Sequence, residues 1–99
     1  MNFTQNEKHA LITVLKTIMN ADGVVENKEQ DFMDLVYREL GITIDDLQTI
    51  SQMALDDCKP IFDAMPAEKK ELVSKCLLEM VGIDGHVDLR ELRVLHNLI

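Results

Sequence analysis

The residues best placed to do chemistry are carboxylates that occur twice in the same setting. Asp22-Gly23-Val24-Val25-Glu26-Asn27-Lys28-Glu29 and Asp84-Gly85-His86-Val87-Asp88-Leu89-Arg90-Glu91 both read Asp-Gly-x-Val-acidic-x-basic-Glu. The offset between the copies is 84 − 22 = 62 residues. Such a set suits a hard divalent cation, because calcium and magnesium take carboxylate and carbonyl oxygens. The expected ligands are Asp22, Glu29, Asp84 and Glu91, and the expected cofactor is a divalent cation, calcium or magnesium.

Each copy resembles the second half of a calcium EF-hand loop, with Asp, Gly, a variable residue, an aliphatic residue and a late Glu. A full loop also places oxygen ligands two and four residues before the Asp. Those places hold Asn20 and Ile18 in the first copy, and Gly82 and Met80 in the second. Neither loop can therefore build a complete site by itself. A shared site forms if the two units pack about a pseudo-twofold axis and the four carboxylates converge. Converging carboxylates repel one another unless a cation sits between them. Helix capping is the competing account. Gly23 and Gly85 can take the left-handed conformation that closes a helix. Asp88 and Glu91 have the spacing of an N-cap and its capping-box partner, and Val87 can staple onto Leu92. The first copy fits this account less well, since Glu26 is a weak cap and Val25 faces Gln30.

The elements that must position these residues are helices. Thr4 and Glu7 form a capping box. Leu11, Val14, Leu15 and Ile18 then recur at the spacing of an amphipathic helix that ends near Asn20-Ala21. A second helix is expected from Glu26 to Leu40, with Phe32, Leu35, Val36 and Leu40 on its apolar face, Met33 alongside, and Gly41 as its stop. Thr43 caps a third helix with Asp45 and Asp46 in its first turn. Leu47, Ile50 and Ala54 form its buried face. Pro60 breaks the pattern or starts a short helix with Ile61 and Phe62. Pro66 opens a long helix carrying Leu72, Val73, Cys76, Leu77 and Met80, which runs to about Val81-Gly82. A last helix is expected from Asp88, with Leu89, Leu92, Leu95, Leu98 and Ile99. The fold class that follows is an all-α bundle of five or six helices, made of two related helix–loop–helix units in a single domain over residues 1–99.

Composition narrows the function further. The 99 residues are 46% apolar and 28% charged, which suits a folded domain rather than a disordered chain. With 4% aromatics and no Trp, the core must be aliphatic, drawn from Leu, Ile, Val and six Met. A net charge of −8 repels phosphate backbones and anionic membrane surfaces, and favours cations or basic partners. No nucleic-acid or membrane partner is expected, whereas a protein partner or a homodimer is. Cys58 and Cys76 form no CxxC pair and have apolar neighbours, so they read as small hydrophobes. His9, His86 and His96 lack partners three or four residues away and are expected on exposed faces. Met1 to Glu7 has no basic stretch leading into an apolar run, and no run approaches the ~20 residues that span a bilayer, so the expected location is the cytoplasm.

The paired Asp-Gly-x-Val…Glu motifs, each at a helix–helix junction, give the chain a further meaning. From Leu11 to Leu98 it resembles the TerB-like family, which includes tellurite-resistance TerB proteins and the N-terminal domain of DjlA-type co-chaperones. Asp22 and Glu29 match the first motif, and Asp84 and Glu91 match the second. Glu26 departs from the small capping residue usual there. The resemblance implies an all-helical fold with acidic junctions, in a family often proposed to bind metal or to act in stress response as a non-enzymatic interaction or scaffold module. The alternative is a small metal-dependent enzyme using the same carboxylates. No glycine-rich phosphate loop or nucleophile elbow supports catalysis.

Overall fold

The structure is a computed structural model that describes residues 3–21 and 27–82. These residues form five helices: α1 (Gln5–Asn20), α2 (Asn27–Leu40), α3 (Ile44–Gln52), α4 (Leu55–Asp63) and α5 (Ala67–Gly82). No strand occurs among the described residues, so the all-α expectation holds. The sixth helix expected from Asp88 lies outside them.

α1 starts where the capping box predicts. The Thr4 hydroxyl accepts the Glu7 amide at 3.2 Å, and the Glu7 carboxylate accepts the Thr4 amide at 2.7 Å. The expected apolar stripe is present, but burial extends well beyond it. His9, Ala10, Ile12, Thr13 and Met19 are buried together with Leu11, Val14, Leu15 and Ile18. A helix buried around most of its circumference must have neighbours on several sides. Here α2, α3, α4 and α5 all pack against α1, and the packing of those four on one another is slight by comparison.

α2 is described from Asn27 onward; Glu26, where the helix is expected to start, lies outside the described residues. Its buried positions are Glu29, Met33 and Val36. Leu35, expected on the apolar face, is 48% exposed. The helix closes with a Schellman motif. The Ile42 amide donates to Tyr37 O at 2.9 Å and the Gly41 amide donates to Arg38 O at 3.3 Å. Gly41 has φ +65°, which supplies the left-handed residue this motif needs.

Thr43 caps α3 as expected. Its hydroxyl accepts the Asp46 amide at 3.2 Å, and Asp46 Oδ2 accepts the Thr43 amide at 2.8 Å. The other oxygen of Asp46 reaches across to α1, where His9 Nε2 donates to Oδ1 at 2.8 Å. A carboxylate only accepts, so Nε2 must carry the proton. One buried side chain thus caps α3 and ties it to α1.

α4 contains Pro60 in its interior and buries Cys58 and Phe62. Pro66 directly precedes α5, one residue from its expected place. α5 buries Val73, Leu77, Met80 and Val81. Lys69 in its first turns donates to Glu7 Oε1 at 2.8 Å and lies 5.7 Å from the centre of the Phe3 ring. This clip joins the N-terminal ends of α1 and α5.

Two outcomes follow from these local devices. Nothing lies within 4 Å of a Cβ built on Gly41, so the cost of a side chain there is conformational rather than steric. Gly41→Val is expected to destabilise the domain by ~1–2 kcal/mol in urea unfolding, and Gly41→Asn by clearly less, since Asn tolerates the left-handed region. The Thr43 amide, followed by His9, holds the Asp46 carboxyl down at about 2, below its ordinary 3.8. A depressed folded-state value gives stability that is present above pH 3.8 and lost as pH falls toward about 2. Asp46→Asn should flatten the stability–pH curve across that window, as read by thermal melts. An unchanged slope would show that the carboxylate contributes nothing.

Candidate functional site

The first acidic junction lies between α1 and α2. Its segment 22–26, which carries Asp22, is outside the described residues. Glu29 is described. It stands in the first turn of α2, where the helix macrodipole favours a negative charge. It is only 2% exposed and is not without a partner. Asp84 and Glu91 of the second junction also lie outside the described residues, beyond the end of α5. Among the described residues, no group of three His, Cys, Asp or Glu side chains is close enough to hold a metal ion. The burial of Glu29 was not legible in the sequence, because a Glu at a helix start reads first as an exposed cap.

The expectation of exposed histidines is corrected at His9, which is 7% exposed and bonded to Asp46. His86 and His96 lie outside the described residues. His9 and Asp46 are 37 residues apart, and no local pattern connects them. The one available signal was the position of His9 two residues before Leu11, inside a helix that turns out to be wrapped on several sides. A His held by a carboxylate can act as a base. Here, however, the same Asp46 is committed to the α3 cap, and the pair is buried beneath α1 and α3.

Cys58 is a core residue, and Cys76 is partly buried against the core. Burial, then the nearby Asp57, pushes the Cys58 thiol up to about 11. Its sulfur donates to Ala54 O at 3.6 Å. Burial, then Glu79, pushes Cys76 up to about 11. A thiol with such a value is almost wholly protonated at neutral pH and is a poor nucleophile.

Two concavities lie among the described residues nearest these groups. One is a broad, open depression of about 430 Å³ beside the C-terminal end of α1, lined by Thr13, Lys16, Thr17, Asn20, Ala21 and Ile50. It adjoins the residues that lead into the first junction. The other is an apolar groove of about 250 Å³ between α2 and α5, with Leu11 of α1 contributing to its lining and Glu39 and Glu79 as its charged groups. The sequence did not mark this groove, since its exposed Leu35 and Leu72 had been assigned to buried stripes. No described helix is long and apolar enough to cross a membrane.

Comparison with curated proteins and with solved structures finds no match. The family model described as "Tellurite resistance protein TerB" does match, over residues 1–52. That stretch covers α1, α2, α3 and the first Asp-Gly junction, including Asp22 and Glu29. With the match spanning more than half of the 99 residues and the helical fold in agreement, the chain belongs to the TerB family.

Proposed function

We propose that this chain is a non-enzymatic TerB interaction domain that holds a divalent cation, calcium or magnesium, between its two Asp-Gly helix junctions. The observation that carries the reading is the register of α1 and α5. α1 starts at Gln5 and α5 at Ala67, an offset of 67 − 5 = 62. The same offset relates Asp22 to Asp84 and Glu29 to Glu91. Burial follows it too. Val73, Leu77, Met80 and Val81 of α5 correspond to Leu11, Leu15, Ile18 and Met19 of α1, and all eight are buried. Sequence motif, helix start and buried face therefore share one offset, which supports a duplicated unit.

The Glu7–Lys69 clip adds a symmetry argument. These residues are counterparts at the 62-residue offset, and they pair with each other. In a two-fold arrangement, a residue meets its own counterpart close to the axis. The clip thus supports a pseudo-twofold relation between the two units. Under that relation each Asp-Gly junction follows the C-terminal end of a related helix. That end carries partial negative charge, and α1 has no basic residue in its last turn. The Asp that follows adds to the negative potential, which a cation offsets. Glu29 is a hard oxygen donor already excluded from solvent, in keeping with calcium or magnesium rather than a soft metal.

In this reading the cation cross-links the two units and holds the domain in its binding shape. The high values of the Cys58 and Cys76 thiols speak against thiolate catalysis. Tellurite enters only through the name of the family.

A cation bound by the native state alone raises stability by RT ln(1 + [L]/Kd), about 2.7 kcal/mol at a hundred times Kd. Chelator-treated protein should therefore gain several degrees in melting temperature with millimolar calcium or magnesium. The double variant Asp22→Asn with Asp84→Asn should lose that gain. An unchanged melting temperature of the unsubstituted chain in both salts would refute the site.

A further inference from the structure

α1 and α5 meet through two kinds of contact. One is apolar. α5 packs on α1, and every residue that α5 buries, from Val73 to Val81, is aliphatic or Met. Such contact is non-directional, because burial rewards area removed from water. Aliphatic cores lose uniqueness of packing before they lose stability. Apolar side chains recur at each turn of both helices, so a slip of one turn, about 5.4 Å, exchanges one set of apolar neighbours for another.

The other contact is polar and has a single register. Glu7 Oε1 accepts Lys69 Nζ at 2.8 Å and the Thr4 amide at 2.7 Å. One oxygen therefore caps α1 and catches α5. The Phe3 ring centre lies 5.7 Å from the same ammonium. The Lys69 and Glu7 side chains are 17% and 13% exposed, which protects the pair from the screening that weakens surface ion pairs. Among the described residues it is the one side-chain hydrogen bond between α1 and α5. A slip of one turn would part the ammonium from its carboxylate and leave both groups mostly covered and unpaired, which is costly.

We propose that the Glu7–Lys69 pair is a register pin: it fixes how far α5 stands along α1, and through the two helices it positions the Asp-Gly junctions that follow them. Setting register is the best-attested use of a polar group held within an apolar interface. From Glu7 to Asn20, α1 rises about 20 Å as one uninterrupted helix, so a displacement at the pinned end is carried to the junction end. Glu7 and Lys69 are positioning residues and not ligands. The pin stands on described residues alone, whereas its effect at the junctions rests on the cation reading above.

The test uses the full chain with isotope-labelled methyl groups, in chelator. Glu7→Gln with Lys69→Met removes the ion pair but keeps a capping-box side chain at position 7 and an apolar stem at position 69. Replacing a covered ion pair in this way often leaves stability little changed. In the unsubstituted chain, nuclear Overhauser contacts of Leu15 and Ile18 with Leu77 and Met80 should form one set with narrow lines. In the double variant, with helicity retained by circular dichroism, they should broaden or double as registers interconvert. Lys69→Arg should keep the single set. Lys59→Met, which breaks the exposed Lys59–Asp63 pair within α4, should also leave the spectrum unchanged. A single narrow set in the double variant overturns the proposal, because apolar packing alone would then fix the register. Loss of helicity in that variant overturns it as well, since the pair would then be needed for folding itself. A second measurement reads the junctions. Calorimetric titration with calcium should give an affinity about tenfold weaker in the double variant, the scale seen when groups that orient metal ligands are removed. Equal affinity overturns the positioning of the junctions. Absence of binding by the unsubstituted chain refutes the cation instead, and the methyl spectra then decide the pin by themselves.

Discussion

The structure depends on keeping one helix out of water on nearly every side. α1 carries nine buried residues among its sixteen, and it is the element on which each of the other described helices packs. Such a helix has no face to spare for unpaired polar groups, because burying one without a hydrogen bond costs several kcal/mol in an apolar setting. Two polar side chains nevertheless lie within it. Thr13 donates to His9 O one turn back, and His9 donates to Asp46. No buried side-chain polar atom among the described residues is left unsatisfied. The arrangement of α3 follows from this requirement. Asp46 has to serve as both the cap of its own helix and the acceptor for His9, which fixes how the start of α3 lies against α1.

Local signals made most of the helix boundaries legible, because they concern groups only three or four residues apart. The Thr4–Glu7 box, the Thr43 cap and the glycine stop at Gly41 each occupy their expected places. The errors have a common physical origin. The buried face of α2 starts with Glu29 and continues through Met33 and Val36, so a charged residue opens what is in fact the inward stripe. A pattern that takes only apolar residues as inward-facing is rotated toward Leu35 in consequence. His9 was missed because its partner is distant in the chain, and Leu72 because the wall it belongs to exists only once α2 and α5 are side by side. Of the four carboxylates singled out by spacing, Glu29 is described, and its deep burial is more specific than the sequence could indicate.

Among the described residues, the carboxylates stand in two settings. Glu29 is buried at the start of α2, whereas Glu39 and Glu79 are exposed beside the apolar α2–α5 groove. Family membership accounts for the helical frame, while the use made of it depends on these particular surfaces. Ion pairs at the exposed surface, such as Lys59–Asp63, add little to either. The Glu7–Lys69 clip is different, since its side chains are mostly covered and it joins the two long helices at their starts.

The central place of α1 has a consequence for how the protein is made. α1 leaves the ribosome well before α4 and α5, which supply much of its cover. Lys69 follows Glu7 by 62 residues, which at ordinary rates of synthesis is roughly 3 to 12 s of elongation. Through that interval Ile12, Leu15 and Ile18 have no finished core to enter. The nascent chain is then a helix with apolar residues on several sides, the kind of species that chaperones bind and that aggregates when they are scarce. Native packing must wait until α4 and α5 have been made. A domain arranged around its first helix is therefore exposed to translational pausing in a way that one arranged around its last helix would not be.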